Sequence, residues 1–289
     1  MRQRSYTCAL NASQGTTTMT IQQNRGAALI TGASAGIGAV YADRLARRGY
    51  DLILVARNKD RLDALANDIS NRTGRSVETI AADLTDKADL ARVEEVLRTD
   101  ASITALVNNA GIGATGPLLG SDLTRLDEMV SLNIAALARL TYAAAPAFVA
   151  RGRGTIINIG SVVGIAPEIL NGVYGGSKAF VLAFSQSLQH ELADTGVRVQ
   201  AVLPGATATE FWALAGNPVE NLPQEIVMSA EDLVDAALAG LDQGELVTIP
   251  ALPELADWTV FETARRALAP NLSHAKPAAR YGLDARAAA

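Results

Sequence analysis

The fold follows from Ala27-Ala28-Leu29-Ile30-Thr31-Gly32-Ala33-Ser34-Ala35-Gly36-Ile37-Gly38. A short apolar run of buried-strand character ends at Thr31, and a helical apolar period starts at Ile37. The turn between them carries three glycines in the spacing G-x3-G-x-G. Backbone that turns this tightly and approaches a ligand this closely excludes side chains. The helix that begins here offers unpaired N–H groups and the positive end of its dipole to phosphates. Strand, glycine turn and helix in this order point to a dinucleotide site at Gly32, Ser34, Gly36, Ile37 and Gly38. No Lys-Ser/Thr follows Gly38, which excludes a Walker-type phosphate loop. Taken alone, a glycine-rich turn is also simply a turn.

Outward from this stretch the same alternation continues. Apolar runs at residues 52–56, 77–82, 103–107, 155–159, 197–203 and 245–249 read as strands. Helical periods cover 37–48, 59–71, 87–98, 122–150, 174–193 and 230–241. Continuous apolar strands alternating with helices predict an α/β fold: one Rossmann-type, doubly wound parallel sheet with helices on both faces. Residues 25–250 form this single dinucleotide-binding and catalytic domain. Residues 1–24 read as a disordered polar leader, with Met19 an alternative start to Met1, and residues 251–289 as a C-terminal extension, helical over 254–268, with a tail. Residues 206–229, with Phe211, Trp212 and Leu214, follow the sixth strand, where open sheets bind ligands. They read as a lid over an apolar substrate, or as a segment simply packed on the domain.

Composition narrows the function by exclusion. With 49% apolar residues and a net charge of −5, the chain is globular and lacks the basic footprint of a nucleic-acid binder. No continuous apolar block reaches the roughly 18–20 residues of a membrane span. Cys8 has no partner for a disulfide, which suits a cytoplasmic location. His190 and His274 have no companions at metal-ligand spacing, so no metal is expected.

Two strand ends bear on the cofactor. The second strand closes with Arg57, where an NAD enzyme places an acid for the ribose 2′-hydroxyl. A guanidinium suits a 2′-phosphate by charge and shape, so NADP(H) is expected over NAD(H); the other reading is a solvated loop arginine. Asp83, at the end of the third strand, is expected to bond the adenine amino group or else to cap its turn.

The chemistry centres on Tyr174 and Lys178, four apart and hence on one helix face. With six tyrosines and four lysines in the chain, such a pair arises by chance about 0.1 times. A tyrosine serves as general acid/base when its pKa falls toward neutrality, and a neighbouring ammonium lowers it. Ser161 is placed to donate to a substrate carbonyl, and Asn133 to hold a water linking Lys178 to solvent. Singly, each has a plainer reading: a turn serine, a helix-kink asparagine, a surface Tyr–Lys pair.

In this order and spacing, Thr31-Gly32-x3-Gly36-Ile37-Gly38, Asn108-Asn109-Ala110-Gly111, Asn133, Ser161, Tyr174-x3-Lys178 and Pro204-Gly205 resemble the short-chain dehydrogenase/reductase family over about residues 25–250. The glycine spacing is similar to its compact oxidoreductase branch. The resemblance implies that Asn109, Ala110 and Gly111 lie beside the cofactor ribose, that Lys178 also bonds the nicotinamide ribose, and that Tyr174 too belongs to the cofactor site. It further implies that Pro204, Gly205 and Thr209 border the carboxamide, and that a homodimer or homotetramer forms through the helices bearing Asn133 and Tyr174. Gly175-Gly176 departs from the family, where at least one larger residue is usual; close packing is the expected reason.

The function expected from all this is reversible NADP(H)-dependent hydride transfer between nicotinamide and a carbonyl or secondary alcohol, with Tyr174 as general acid/base. The alternative is an NADP(H)-binding sensor or scaffold without turnover.

Overall fold

The computed structural model describes residues 25–283 apart from 118 and 171. The expected leader, with Cys8 and Met19, lies outside the described residues, as do residues 284–289. Seven parallel strands form one sheet in the order β3-β2-β1-β4-β5-β6-β7. They are β1 (Ala27–Thr31), β2 (Asp51–Ala56), β3 (Val77–Ala81), β4 (Ile103–Asn108), β5 (Gly154–Ile159), β6 (Val197–Val202) and β7 (Val247–Thr248). The order reverses between β1 and β4, and the crevice beyond their carboxyl ends is where such sheets bind ligands.

Each strand sends alternate side chains to opposite faces. Ala28, Ile30, Leu52 and Leu54 pack beneath α1 (Gly36–Arg47), α2 (Lys59–Thr73) and α8 (Ala230–Gln243). Leu29, Ile53 and Val55 pack beneath α3 (Lys87–Thr99), α5 (Leu137–Ala150) and α6 (Gly172–Glu191). Leu29, Ile30 and Leu54 are wholly buried, and each such side chain contributes roughly 1.5–3 kcal/mol. This two-sided burial is why the strands read as continuous apolar runs.

Four helix starts are capped by a side chain. Asn58 caps α2, Asp86 caps α3, Asp122 caps α4 (Leu123–Val130) and Ser229 caps α8, each accepting from an N–H of the first turn. At α1 the cap position is Ala35, which has no side-chain acceptor. The donors that a capping oxygen would satisfy elsewhere stay open here.

Two expected elements differ. The helix over 122–150 is interrupted by a π turn, Ser131–Ala136, between α4 and α5. The last strand shortens to Val247–Thr248, which pairs only with Ala201 and Val202 at the sheet edge. Leu123–Ala150 is, by length and composition, apolar enough to cross a membrane, because its many alanines raise the mean hydropathy without a continuous block. Its Leu140, Ala144 and Phe148 pack against the sheet.

Beyond β7, α9 (Leu255–Ala267) follows. Trp258 packs toward Leu182, Val162 and Ile249, and most other α9 side chains are exposed.

Candidate active site

The glycine turn after β1 is braced from β4. Asn109 donates from Nδ2 to the carbonyls of Thr31 (2.9 Å) and Gly32 (3.1 Å). The backbone N–H groups of Asn109 and Ala110 both reach Thr31 Oγ1 at 3.0 Å. Gly32 has φ +64°, and a Cβ there would stand 2.8 Å from Asn109 Nδ2. At Gly38 a Cβ would lie 2.3 Å from the Gly32 carbonyl oxygen, so the start of α1 rests directly on the turn. Ser34 and Ile37 lie on this same turn and helix start, half-buried. Asn109→Ala removes both Nδ2 bonds and is expected to cost about 1–3 kcal/mol. Melting should then fall by several degrees, with dinucleotide affinity reduced in parallel.

The outer end of the cleft carries Arg57, exposed and without a hydrogen bond or ion pair among the described residues. Asp83 accepts at Oδ1 from the N–H (2.9 Å) and hydroxyl (2.7 Å) of Thr85. That oxygen caps its own turn, leaving Oδ2 for any contact with a base. Thr209 faces the turn from the other side, its Cγ2 3.1 Å from where a Gly36 Cβ would be. Pro204 accepts from the N–H of Val162 at 2.9 Å, and Gly205 from Thr207 Oγ1 at 3.2 Å. An uncapped helix start, a glycine cradle and an uncommitted arginine together fit a dinucleotide.

A buried polar chain sets the neighbouring strand ends. Asn108 of β4 stands opposite Asn158 of β5. Asn108 Nδ2 donates to Asn158 Oδ1 and Thr141 Oγ1, both at 2.9 Å, and Asn158 Nδ2 reaches Ser185 Oγ on α6 at 3.0 Å. Strands β4 and β5 are thereby held in register with the helix that carries Tyr174 and Lys178.

Ser161 follows β5 and is buried, its Oγ 3.3 Å from the Pro204 carbonyl. Tyr174, in the first turn of α6, is hydrogen-bonded to the Ser161 side chain. One turn on, Lys178 is buried and donates from Nζ to the Ile159 carbonyl at 2.9 Å. Its Nζ lies 5.8 Å from the centre of the Tyr174 ring. Gly111 sits between walls: a Cβ there would be 3.2 Å from Asn133 Oδ1 and 3.7 Å from Lys178 Nζ.

Burial is the first influence on both groups. Desolvation pushes the Tyr174 phenol up to about 12, with the Ser161 hydrogen bond acting against it. Desolvation also brings Lys178 down to about 8. Both groups therefore favour their neutral forms more than in water.

Asn133 lies on the π turn, where an extra residue per turn re-aims a side chain. It accepts from the Ile112 N–H at 3.0 Å and donates to the Ile112 carbonyl (2.9 Å) and Ser177 Oγ (3.1 Å). Ser177 in turn donates to the Tyr174 carbonyl at 2.8 Å. The side chain thus ties the loop after β4, at Ile112, to Ser177 of α6. The close-packing reason for the paired glycines holds for Gly175, where a Cβ would meet Pro167 at 3.2 Å; nothing in the structure explains Gly176.

Sequence reasoning missed Gly113 and Arg125. Phe211 stands with its ring 5.7 Å from that of Tyr174 and belongs with Met129, Val163 and Leu170 to an apolar cluster there. Among the described residues no cluster of His, Cys, Asp or Glu is arranged to hold a metal.

A cradle for a dinucleotide and a buried Ser–Tyr–Lys group at neighbouring strand ends make this a Rossmann-type oxidoreductase. The sequence pattern of the short chain dehydrogenase family matches residues 26–218. The chain belongs to that family, whose members act on alcohol and carbonyl groups. It is 41% identical over 186 residues to sulfoacetaldehyde reductase 2 of Chromohalobacter salexigens, covering 63% of this chain and 73% of that protein. A short-chain dehydrogenase from Sphingobium yanoikuyae, solved in complex with NADPH, is 52% identical with a TM-score of 0.85, over 88% of this chain and 98% of that one. The bulky-bulky ketone specific alcohol dehydrogenase from Comamonas testosteroni is 47% identical with a TM-score of 0.82, over 89% and 99% of the two chains.

Proposed function

We propose that this chain is an NADPH-dependent reductase of apolar ketones bearing a bulky group on each side of the carbonyl. The observation that carries it is the buried Ser161–Tyr174 hydrogen bond within an apolar cluster at the end of β5. A bound NADPH supplies the hydride. Ser161 holds the carbonyl oxygen, and Tyr174 gives it a proton. With its pKa near 12, the phenol is fully protonated at neutral pH, the form that reduction needs. Lys178, charged below about pH 8, offsets the charge left on the tyrosine. Asn133 is a positioning residue that acts through Ser177.

The substrate class draws on both relatives. Sulfoacetaldehyde carries a sulfonate, which asks for a cation beside the carbonyl site. The cluster at Tyr174 is apolar, and Arg125 is engaged with backbone carbonyls. That favours the ketone specificity named for the Comamonas protein. Turnover with isobutyrophenone and NADPH is the test; a higher kcat/KM for sulfoacetaldehyde would overturn the substrate class.

Arg57 is the proposed reader of the 2′-phosphate. Arg57→Asp should weaken NADPH binding by roughly 100-fold while NADH changes little. Equal loss of both cofactors in titration would remove Arg57 from that role. The exposed Tyr142, with Phe184 and Phe180 behind it on α5 and α6, supports self-association through those helices.

A further inference from the structure

The chain after β6 returns across the site as α7 (Phe211–Leu214) and is pinned there from outside. Arg125 on α4 donates from Nη2 to the Leu214 carbonyl at 2.6 Å and to the Gly113 carbonyl at 3.2 Å. Thr115 donates its N–H (3.2 Å) and its hydroxyl (3.0 Å) to the Ala215 carbonyl. These anchors fasten the end of α7 to the loop that follows β4. Between them the Phe211 ring contacts the Tyr174 ring at a tilt of 44°. Its tip is set against Gly113, where a Cβ would lie 2.3 Å from Cζ and 2.9 Å from Cε2. Gly113 is outside the left-handed region, so the missing side chain is a matter of space alone.

We propose that Phe211, seated in the notch at Gly113 and held by Arg125 and Thr115, sets how large a group the carbonyl carbon can carry on the α7 side. The inference rests on Tyr174 acting on that carbonyl, as proposed above. A ketone whose oxygen meets the Tyr174 hydroxyl brings its flanking groups against whatever packs on that ring, and on the α7 side this is Phe211. The anchors donate to backbone carbonyls, so α7 keeps its place when the side chain at 211 changes. Removing an aromatic ring from such a wall opens room for several carbon atoms, and a single methylene in an apolar pocket already shifts selectivity by about tenfold or more.

The test uses Phe211→Ala, Gly113→Ala and the double variant with NADPH and two ketones, acetophenone and benzophenone. Phe211→Ala should raise the benzophenone-to-acetophenone ratio of kcat/KM by about tenfold or more. Gly113→Ala, which drives the ring out of its notch, should lower turnover of both ketones, and Phe211→Ala should relieve that loss because the clashing atoms are gone. If Phe211→Ala does not fold, judged by its melting transition, Phe211→Leu should show a smaller shift in the same direction. An unchanged ratio with turnover retained overturns the role of Phe211 and leaves the reductase assignment standing. A Gly113→Ala loss that Phe211→Ala does not relieve overturns the seating. Absence of ketone turnover by the wild type while NADPH still binds overturns the reductase assignment and this inference with it.

Discussion

In the proposed mechanism, Tyr174→Phe should lower kcat for ketone reduction by about 10²–10⁴-fold, the usual contribution of a positioned general acid. NADPH affinity should hardly change, because the hydroxyl faces Ser161 rather than the glycine turn. The fold should also survive: the ring keeps its contacts with Phe211 and Lys178, and Ser161 keeps its bond to Pro204. The two directions of the reaction should differ in their pH dependence. In the proposed mechanism reduction uses the phenol, which stays protonated below a pKa of about 12, so this group should add no pH dependence in the neutral range. Alcohol oxidation uses the phenolate, whose fraction rises about tenfold per pH unit until that pKa is reached. Oxidation by the wild type should therefore climb steadily through pH 7–9. A profile that levels off near neutrality would show that the tyrosine is far more acidic in the working site than its burial dictates. Tyr174→Phe retaining near wild-type turnover would remove the residue from the mechanism.

What could be read from the chain depended on whether the information is local. Strand runs are apolar because both sheet faces are covered, and Tyr174 and Lys178 share a face because four residues make about one helical turn. Both properties survive in a string of letters. The π turn does not: apolar spacing runs straight across residues 131–136, so periodicity reports one helix where Asn133 is displaced to meet Ile112. The clamp on α7 is equally silent, because Arg125 bonds the backbone of Leu214, 89 residues away, and a carbonyl carries no residue identity. The glycine at 113 signals a missing side chain without saying whose ring fills the space. Asp83 shows the reverse case, where the plainer local reading, a turn cap, is seen in its bonds to Thr85.

Lys178→Met should remove the rise of stability with pH between pH 8 and 10, and with it most of the activity. In the folded chain the ammonium is buried and its pKa falls from 10.5 to about 8. Below pH 8 both states carry the proton, and the folded state bears the full burden of the buried charge. From pH 8 to 10.5 the unfolded chain still binds the proton while the folded chain has released it. Stability therefore rises with pH across this window, by about 1.4 kcal/mol per unit and roughly 3 kcal/mol in all. Above 10.5 the gain is complete, and it is lost again as the pH falls through 8. Tyr174 acts oppositely only from pH 10 to about 12, where its raised pKa makes stability fall, so measurements belong below pH 10. The methionine variant carries no such group; it loses the bond to the Ile159 carbonyl, a penalty of about 1–3 kcal/mol that does not vary with pH. Between pH 7.5 and 10 the melting temperature of the wild type should gain roughly 4–5 °C on that of the variant. Parallel melting curves would mean that Lys178 keeps an ordinary pKa in the folded chain. Its charge would then be fully present on both sides of neutrality, and the lysine would offset the phenolate charge at every pH where the enzyme works.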